Sequence, residues 1–226
     1  QTAASNLQNL SKLNGIKATL GSSSAVSVTA GNTAGEANYS VDVLQLASGQ
    51  QIVSQAGKFT SASETLVAKS GETTAAAMVT INFGTVTETD GVKSFAADAS
   101  RLQQISVQAG DDGEISLQEV ADAINGGDYG VKASLISDKT GSVRLSLTGE
   151  DTGAENAFKI DVAVTSGTEN AHFSNLNFDP SKAGVNFDIL SGGVAQDSVM
   201  KLNGVEVTRA SNTIDDAVEG LTFTLK

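Results

Sequence analysis

Apolar residues in this chain come in short runs that often alternate with polar ones, broken every few positions by Gly, Asn, Asp, Ser or Thr. A period of two sends successive side chains to opposite faces of a strand, so the pattern calls for many short, half-covered strands rather than long amphipathic helices. No apolar run approaches the roughly 20 residues that a membrane-spanning helix needs. No charged-then-apolar leader with a small-residue cleavage site opens the sequence, and a soluble chain is expected.

Composition narrows this further. With 226 residues, one large or two small domains are expected. Only 39% of residues are apolar and 4% aromatic, with no Trp and one Pro, so the core is modest and divided. Such a composition suits an extended surface or exported protein better than a compact enzyme. The absence of Cys excludes a disulfide framework, a zinc-thiolate site and a thiol nucleophile. A formal charge of -12, with the basic residues scattered singly, excludes nucleic acid as a partner and disfavours an anionic membrane surface.

Along the chain, Leu7, Leu10 and Leu13 line one side of a short helix ended by Asn14-Gly15. A strand is expected over 40–47, with shorter ones at 66–68, 78–83 and 104–107. The clearest helix is Ser116-Leu117-Gln118-Glu119-Val120-Ala121-Asp122-Ala123-Ile124-Asn125. Its Ser116 and Glu119 form a capping box, and Leu117, Val120, Ala121 and Ile124 form one stripe. Strands at 131–136, 143–148 and 158–164 follow, and the helix is expected to lie on the small antiparallel sheet they make. Met200-Lys201-Leu202-Asn203-Gly204-Val205-Glu206-Val207 reads as a hairpin around Asn-Gly. Thr213 with Asp216, followed by Ala217 and Val218, reads as a second helix start ended by Gly220, and 221–225 reads as a strand. A helix tail at one end and a bare strand at the other are expected of a piece cut from a longer protein.

Few residues invite a chemical reading. Asp111-Asp112-Gly113-Glu114-Ile115-Ser116-Leu117-Gln118-Glu119 matches the second half of a calcium-binding loop, but Gln108 and Gly110 stand where its two leading ligands belong. A helix start accounts for the stretch. His172, the single histidine, lacks a neighbouring Ser or acidic cluster and reads as a surface or rim residue. Glu150-Asp151, Glu155 and Asp215-Asp216 read as carboxylates in turns or first helical turns, where the helix dipole favours them. No phosphate-binding or nucleophile-elbow motif occurs. Catalytic, cofactor and metal residues are all assigned as none.

Three stretches carry a family resemblance. Tyr39-Ser40-Val41-Asp42-Val43-Leu44-Gln45-Leu46-Ala47, with Gln51 and Phe59-Thr60-Ser61, resembles the N-terminal region of the flagellar filament capping proteins (FliD, flagellar hook-associated protein 2). The 116–125 helix with Gly130-Val131-Lys132-Ala133-Ser134-Leu135, Arg144-Leu145-Ser146-Leu147-Thr148 and Gly153 resembles the flagellin hook motif named for its Ile-Asn pair, here Ile124-Asn125. Ala195-Gln196-Asp197-Ser198, residues 202–214 and Gly220-Leu221-Thr222-Phe223-Thr224-Leu225 are similar to the start of that family's C-terminal region. The family's long terminal helices and coiled-coil legs are missing from this sequence.

The resemblance implies a mainly β fold with short helices in two small domains, one inserted in the other. Residues 1–20 would be a helical stub of the leg domain, 21–75 and 182–226 a discontinuous domain next to the legs, and 76–181 an inserted β-rich domain carrying the Ile-Asn motif. It also implies a structural, non-enzymatic head of a filament cap, extracellular at the flagellum tip and exported without a cleaved signal peptide. Its partners would be flagellin and copies of itself, with ring formation resting on the legs and this portion alone monomeric or weakly associating. The alternative is an adhesin-like β module for a host glycan or glycoprotein, which the scarcity of aromatic platforms disfavours.

Overall fold

The computed structural model describes residues 18–19, 25–137, 141–182 and 184–226; the helix expected over 7–13 and most of the 1–20 stub lie outside them. The strands are, in chain order, β1 (Val26–Ala30), β2 (Val41–Gln45), β3 (Gln51–Ser54), β4 (Thr65–Ala68), β5 (Ala76–Thr89), β6 (Val92–Gln108), β7 (Ile115–Ser116), β8 (Val131–Ser137) and β9 (Val143–Gly149). They continue with β10 (Ala157–Ser166), β11 (Thr168–Glu169), β12 (Phe187–Ile189), β13 (Ser198–Leu202), β14 (Val205–Arg209), β15 (Thr213–Val218) and β16 (Leu221–Leu225). One α-helix, α1 (Leu117–Asn125), follows β7 among the described residues. The mainly β class expected from the alternating runs holds.

The chain forms two compact units, Gln1–Ala47 with Asp197–Lys226, and Ser48–Gln196. These divisions fall away from the expected 75/76 and 181/182. The reason is pairing: β3 lies between β9 and β12 in one four-stranded sheet, and β4 pairs with β7 and β11, so residues 48–75 and 182–196 belong with the larger unit.

The smaller unit has two three-stranded antiparallel sheets, β1-β16-β15 and β14-β13-β2. Val26, Met200, Leu202, Ile214, Leu221, Phe223 and Leu225 form its core. The expected hairpin is present: β13 and β14 pair from Ser198 with Arg209 to Leu202 with Val205. Its turn holds Asn203 at φ 50° and Gly204 at φ 83°, the positive values that a two-residue turn matched to strand twist requires. The helix expected at Thr213 is instead β15. Thr213 pairs with Thr224, Ile214 with Phe223 and Val218 with Leu221, so the β-branched residues that would crowd a helix surface instead fill a pleated one.

In the larger unit, β10-β5-β6 and β12-β3-β9-β8 are antiparallel sheets, and β11-β4-β7 is a small third one. The three strands after α1 therefore do not make one sheet: β8 and β9 pair together, while β10 joins β5. Two alternating strands of similar pattern can satisfy either partner, and sequence spacing does not choose between them. The buried stripe Leu117, Val120, Ala121 and Ile124 of α1 joins Val79, Ile81, Ile105, Val107, Leu145, Leu147 and Ile160 in one core. Phe83, Phe158, Phe178 and Phe187 meet edge to face in series, with centroids 6.4, 6.2 and 5.9 Å apart. Such aromatic contacts contribute about 0.5–1.5 kcal/mol each beyond area burial, which lets a chain poor in aromatics build a firm centre.

Candidate functional site

The Ile-Asn pair is a structural lock. At the start of α1, Ser116 Oγ accepts from the Glu119 N–H at 3.3 Å while the Ser116 N–H donates to Glu119 Oε2 at 2.6 Å, completing the capping box. At its end Ile124 is buried in the core, and the Asn125 amide brackets one residue of β8. Asn125 Nδ2 donates to the Ala133 carbonyl and the Ala133 N–H donates to Asn125 Oδ1, both at 2.9 Å. The side chain thus mimics a strand bridge and fixes the helix end to the sheet.

The calcium-like stretch is satisfied internally. Glu119 closes the capping box, Asp112 Oδ1 accepts from the Glu114 N–H at 2.9 Å, and Glu114 Oε2 accepts from the Thr65 hydroxyl at 2.8 Å. Among the described residues no cluster of three or more His, Asp or Glu is placed to hold a metal ion. His172 does have an acidic partner that sequence distance hid: its Nδ1 contacts Glu64 Oε1. Burial pushes the Glu64 carboxyl up, but the Thr60 N–H, the His172 ring and the Thr60 hydroxyl outweigh it and hold the carboxyl below its ordinary range. The pair links 60–64 to the turn Phe173–Leu176.

The remaining carboxylates are scattered. Glu150 faces Lys132 at 3.5 Å. Arg209 Nε–H is shared between the two carboxylate oxygens of Asp216, at 2.9 and 3.0 Å, which lowers the Asp216 pKa. Asp215-Asp216 lie in the strand β15, not in a first helical turn as expected, so no helix dipole acts on them. Glu155 offers its backbone carbonyl to Arg101 Nη1 at 3.0 Å.

Two surfaces went unread in the sequence. The first is the hairpin of β5 and β6, much longer than the segments 78–83 and 104–107. Beyond Gly84 and Ala97 it continues as a two-stranded ribbon to the turn Asp90-Gly91, with Val92 69% exposed. Its root is marked by a bulge, with Phe83 between Asn82 and Gly84 on β5 opposed by Asp98, Ala99, Ser100 and Arg101 between Ala97 and Leu102 on β6. There the Arg101 guanidinium lies 4.9 Å from the Phe83 ring centroid and also donates to Asn156 Oδ1. Val86, Val92 and Phe95 stand singly among Thr, Ser, Ala and charged residues in the ribbon, so hydrophobic contrast was weak; the Asp90-Gly91 pair was the cue available. The second is an open groove of about 620 Å³ in the smaller unit, walled by Val28, Tyr39, Val41, Leu221 and Phe223, with Glu36 as its carboxylate. One acid on a wall of mixed polar and apolar groups offers contact rather than acid–base chemistry.

These features define a mainly β protein whose polar side chains fasten its own backbone. The comparisons make that more specific. The profile of the flagellar hook-associated protein 2 N-terminus matches residues 1–50, and that of its C-terminus matches residues 195–226. Flagellar hook-associated protein 2 of Salmonella typhimurium is 32% identical over 115 residues, covering 51% of this chain and 23% of that protein. The crystal structure of the Escherichia coli flagellar cap protein FliD D2-D3 domains aligns with TM-score 0.65 and 28% identity over 91% of this chain and 90% of that one. The E. coli D1-D2-D3 structure aligns with TM-score 0.67 and 26% identity over 91% of this chain and 52% of that one. The chain belongs to the flagellar hook-associated protein 2 (FliD) family, and it spans about a quarter of the length of the curated relatives it matches.

Proposed function

We propose that this chain is the head of a bacterial flagellar filament cap, acting outside the cell at the filament tip. In this reading the intact protein forms a ring of copies of itself, reaches the tip without a cleaved signal peptide, and gives incoming flagellin a confined space in which to fold and join the filament. The head supplies shape and contact surface and catalyses no reaction. The observation that carries this is the alignment of nearly the whole chain with structures described as flagellar cap protein D2-D3 domains, supported by family profiles that match both of its ends. The flanking profiles coincide closely with the two segments of the smaller unit, which favours reading that unit as the part next to the legs and Ser48–Gln196 as the insertion. The adhesin-like alternative draws no support from the comparisons.

The test uses the longer protein that contains this chain, added with flagellin monomers to filaments stripped of their caps. Electron microscopy should show a particle on filament ends and renewed elongation. Bare ends and unchanged length overturn the reading. Light scattering on the 226-residue chain at low micromolar concentration should report a monomer or weak association, since a charge of -12 sets copies against one another. A stable ring-sized particle would place the main self-interface in the head.

A further inference from the structure

Two Asn-Gly pairs lie among the described residues, and their surroundings differ in what decides whether an Asn side chain can be attacked by the amide nitrogen that follows it. At Asn125-Gly126 both side-chain atoms are held by Ala133, and the Gly126 N–H donates to the Ala123 carbonyl at 3.2 Å. At Asn203-Gly204 the side chain accepts one bond, from the Ser40 N–H to Oδ1 at 2.8 Å. Among the described residues no acceptor holds Asn203 Nδ2 or the Gly204 N–H. Both residues are exposed, and a Cβ built on Gly204 would meet nothing within 4 Å.

We propose that Asn203 is a site of spontaneous chemical modification, losing its side-chain ammonia by succinimide formation. Hydroxide removes the Gly204 amide proton, and the nitrogen attacks Asn203 Cγ. A C–N bond closes the five-membered ring, the Cγ–Nδ2 bond breaks, and ammonia departs with a proton from water. A second water opens the ring at either carbonyl, giving Asp or isoaspartate, with no change of oxidation state. The Asp product keeps an oxygen for the Ser40 N–H. The isoaspartate product adds a backbone carbon to a turn that admits only two residues at positive φ, so the Leu202–Val205 closure and the two bonds to Ser40 are lost with it. The smaller unit thus carries a clock on its β13–β14 hairpin, and the larger unit's Asn-Gly does not run at the same rate.

The experiment holds the folded chain in warm, mildly alkaline buffer, digests samples over time with trypsin, and follows amide-to-acid conversion by mass. Cleavage after Lys201 and Arg209 isolates Asn203, and cleavage after Arg101 and Lys132 isolates Asn125. Asn203 should convert about tenfold or more faster than Asn125, because attack at Asn125 must first break several hydrogen bonds. In denaturant the two rates should converge. Equal rates in the folded chain, or faster conversion at Asn125, overturn the proposal. So does a folded chain whose Asn203 stays intact while the denatured chain converts. Asn203→Asp, folded and melting like the parent, separates harm caused by the added charge from harm caused by the isoaspartate backbone.

Discussion

At its base the β5–β6 hairpin is a wall of the larger unit's core, with Val79 and Ile81 buried beside Ile105 and Val107. Beyond Gly84 and Ala97 the same two strands carry half-exposed or exposed side chains on both faces. The hydrogen-bonded ladder continues through both regions, so backbone pairing does not distinguish them; burial does. A lone two-stranded ribbon is at best marginally stable in water, and the tip therefore borrows its order from the base. The border is the bulge at 98–101, where Arg101 ties β6 to Phe83, Glu155 and Asn156.

The largest effect should follow a charge placed at the base. Ile81→Asp buries a carboxylate with no partner at a position that is fully covered, a cost of about 3 kcal/mol or more. The larger unit should lose its cooperative thermal transition, and a melting curve like the parent's would mean that the base is not the core wall described. An intermediate effect is expected at the border. Arg101→Ala removes a stacked guanidinium and its hydrogen bonds, worth about 1–2 kcal/mol together at a half-buried site. Hydrogen exchange should then quicken at amides of 86–95 and stay unchanged at 77–81. Equal quickening in both stretches would show that Arg101 supports the whole sheet rather than the root of the ribbon.

This division explains what could be read from the sequence. The α1 segment and the 213–218 segment present nearly the same signals, a hydroxyl cap, an acid three residues on and an apolar stripe. The first becomes a helix because Leu117, Val120, Ala121 and Ile124 meet a core on one side, whereas the second faces Phe223 across a strand. Local pattern decides only where tertiary contacts agree with it. The Asn203-Gly204 hairpin was legible because its turn chemistry is local. The exchange of partners between β8-β9 and β10-β5 was not, since register between distant strands leaves no local mark. The contact of Glu64 with His172 was hidden for the same reason; the ribbon tip was hidden because an exposed apolar residue such as Val92 marks no core face.

The smallest effect should be at the ribbon's end. Val92 pairs with Thr89 next to the Asp90-Gly91 turn and is 69% exposed, so Val92→Ser gives up little buried area and only a fraction of a strand preference whose full range is about 1 kcal/mol. Substitutions at such sites usually fall within about 0.5 kcal/mol, and the thermal midpoint should stay within about 2 °C of the parent's. The turn chemistry is untouched, since Asp90 and Gly91 keep their positive φ. Circular dichroism melts of the two proteins, run side by side, check this. A clear drop would mean that Val92 packs against something in the folded chain, and the contrast between a buried base and a bare tip would fail at its most exposed point.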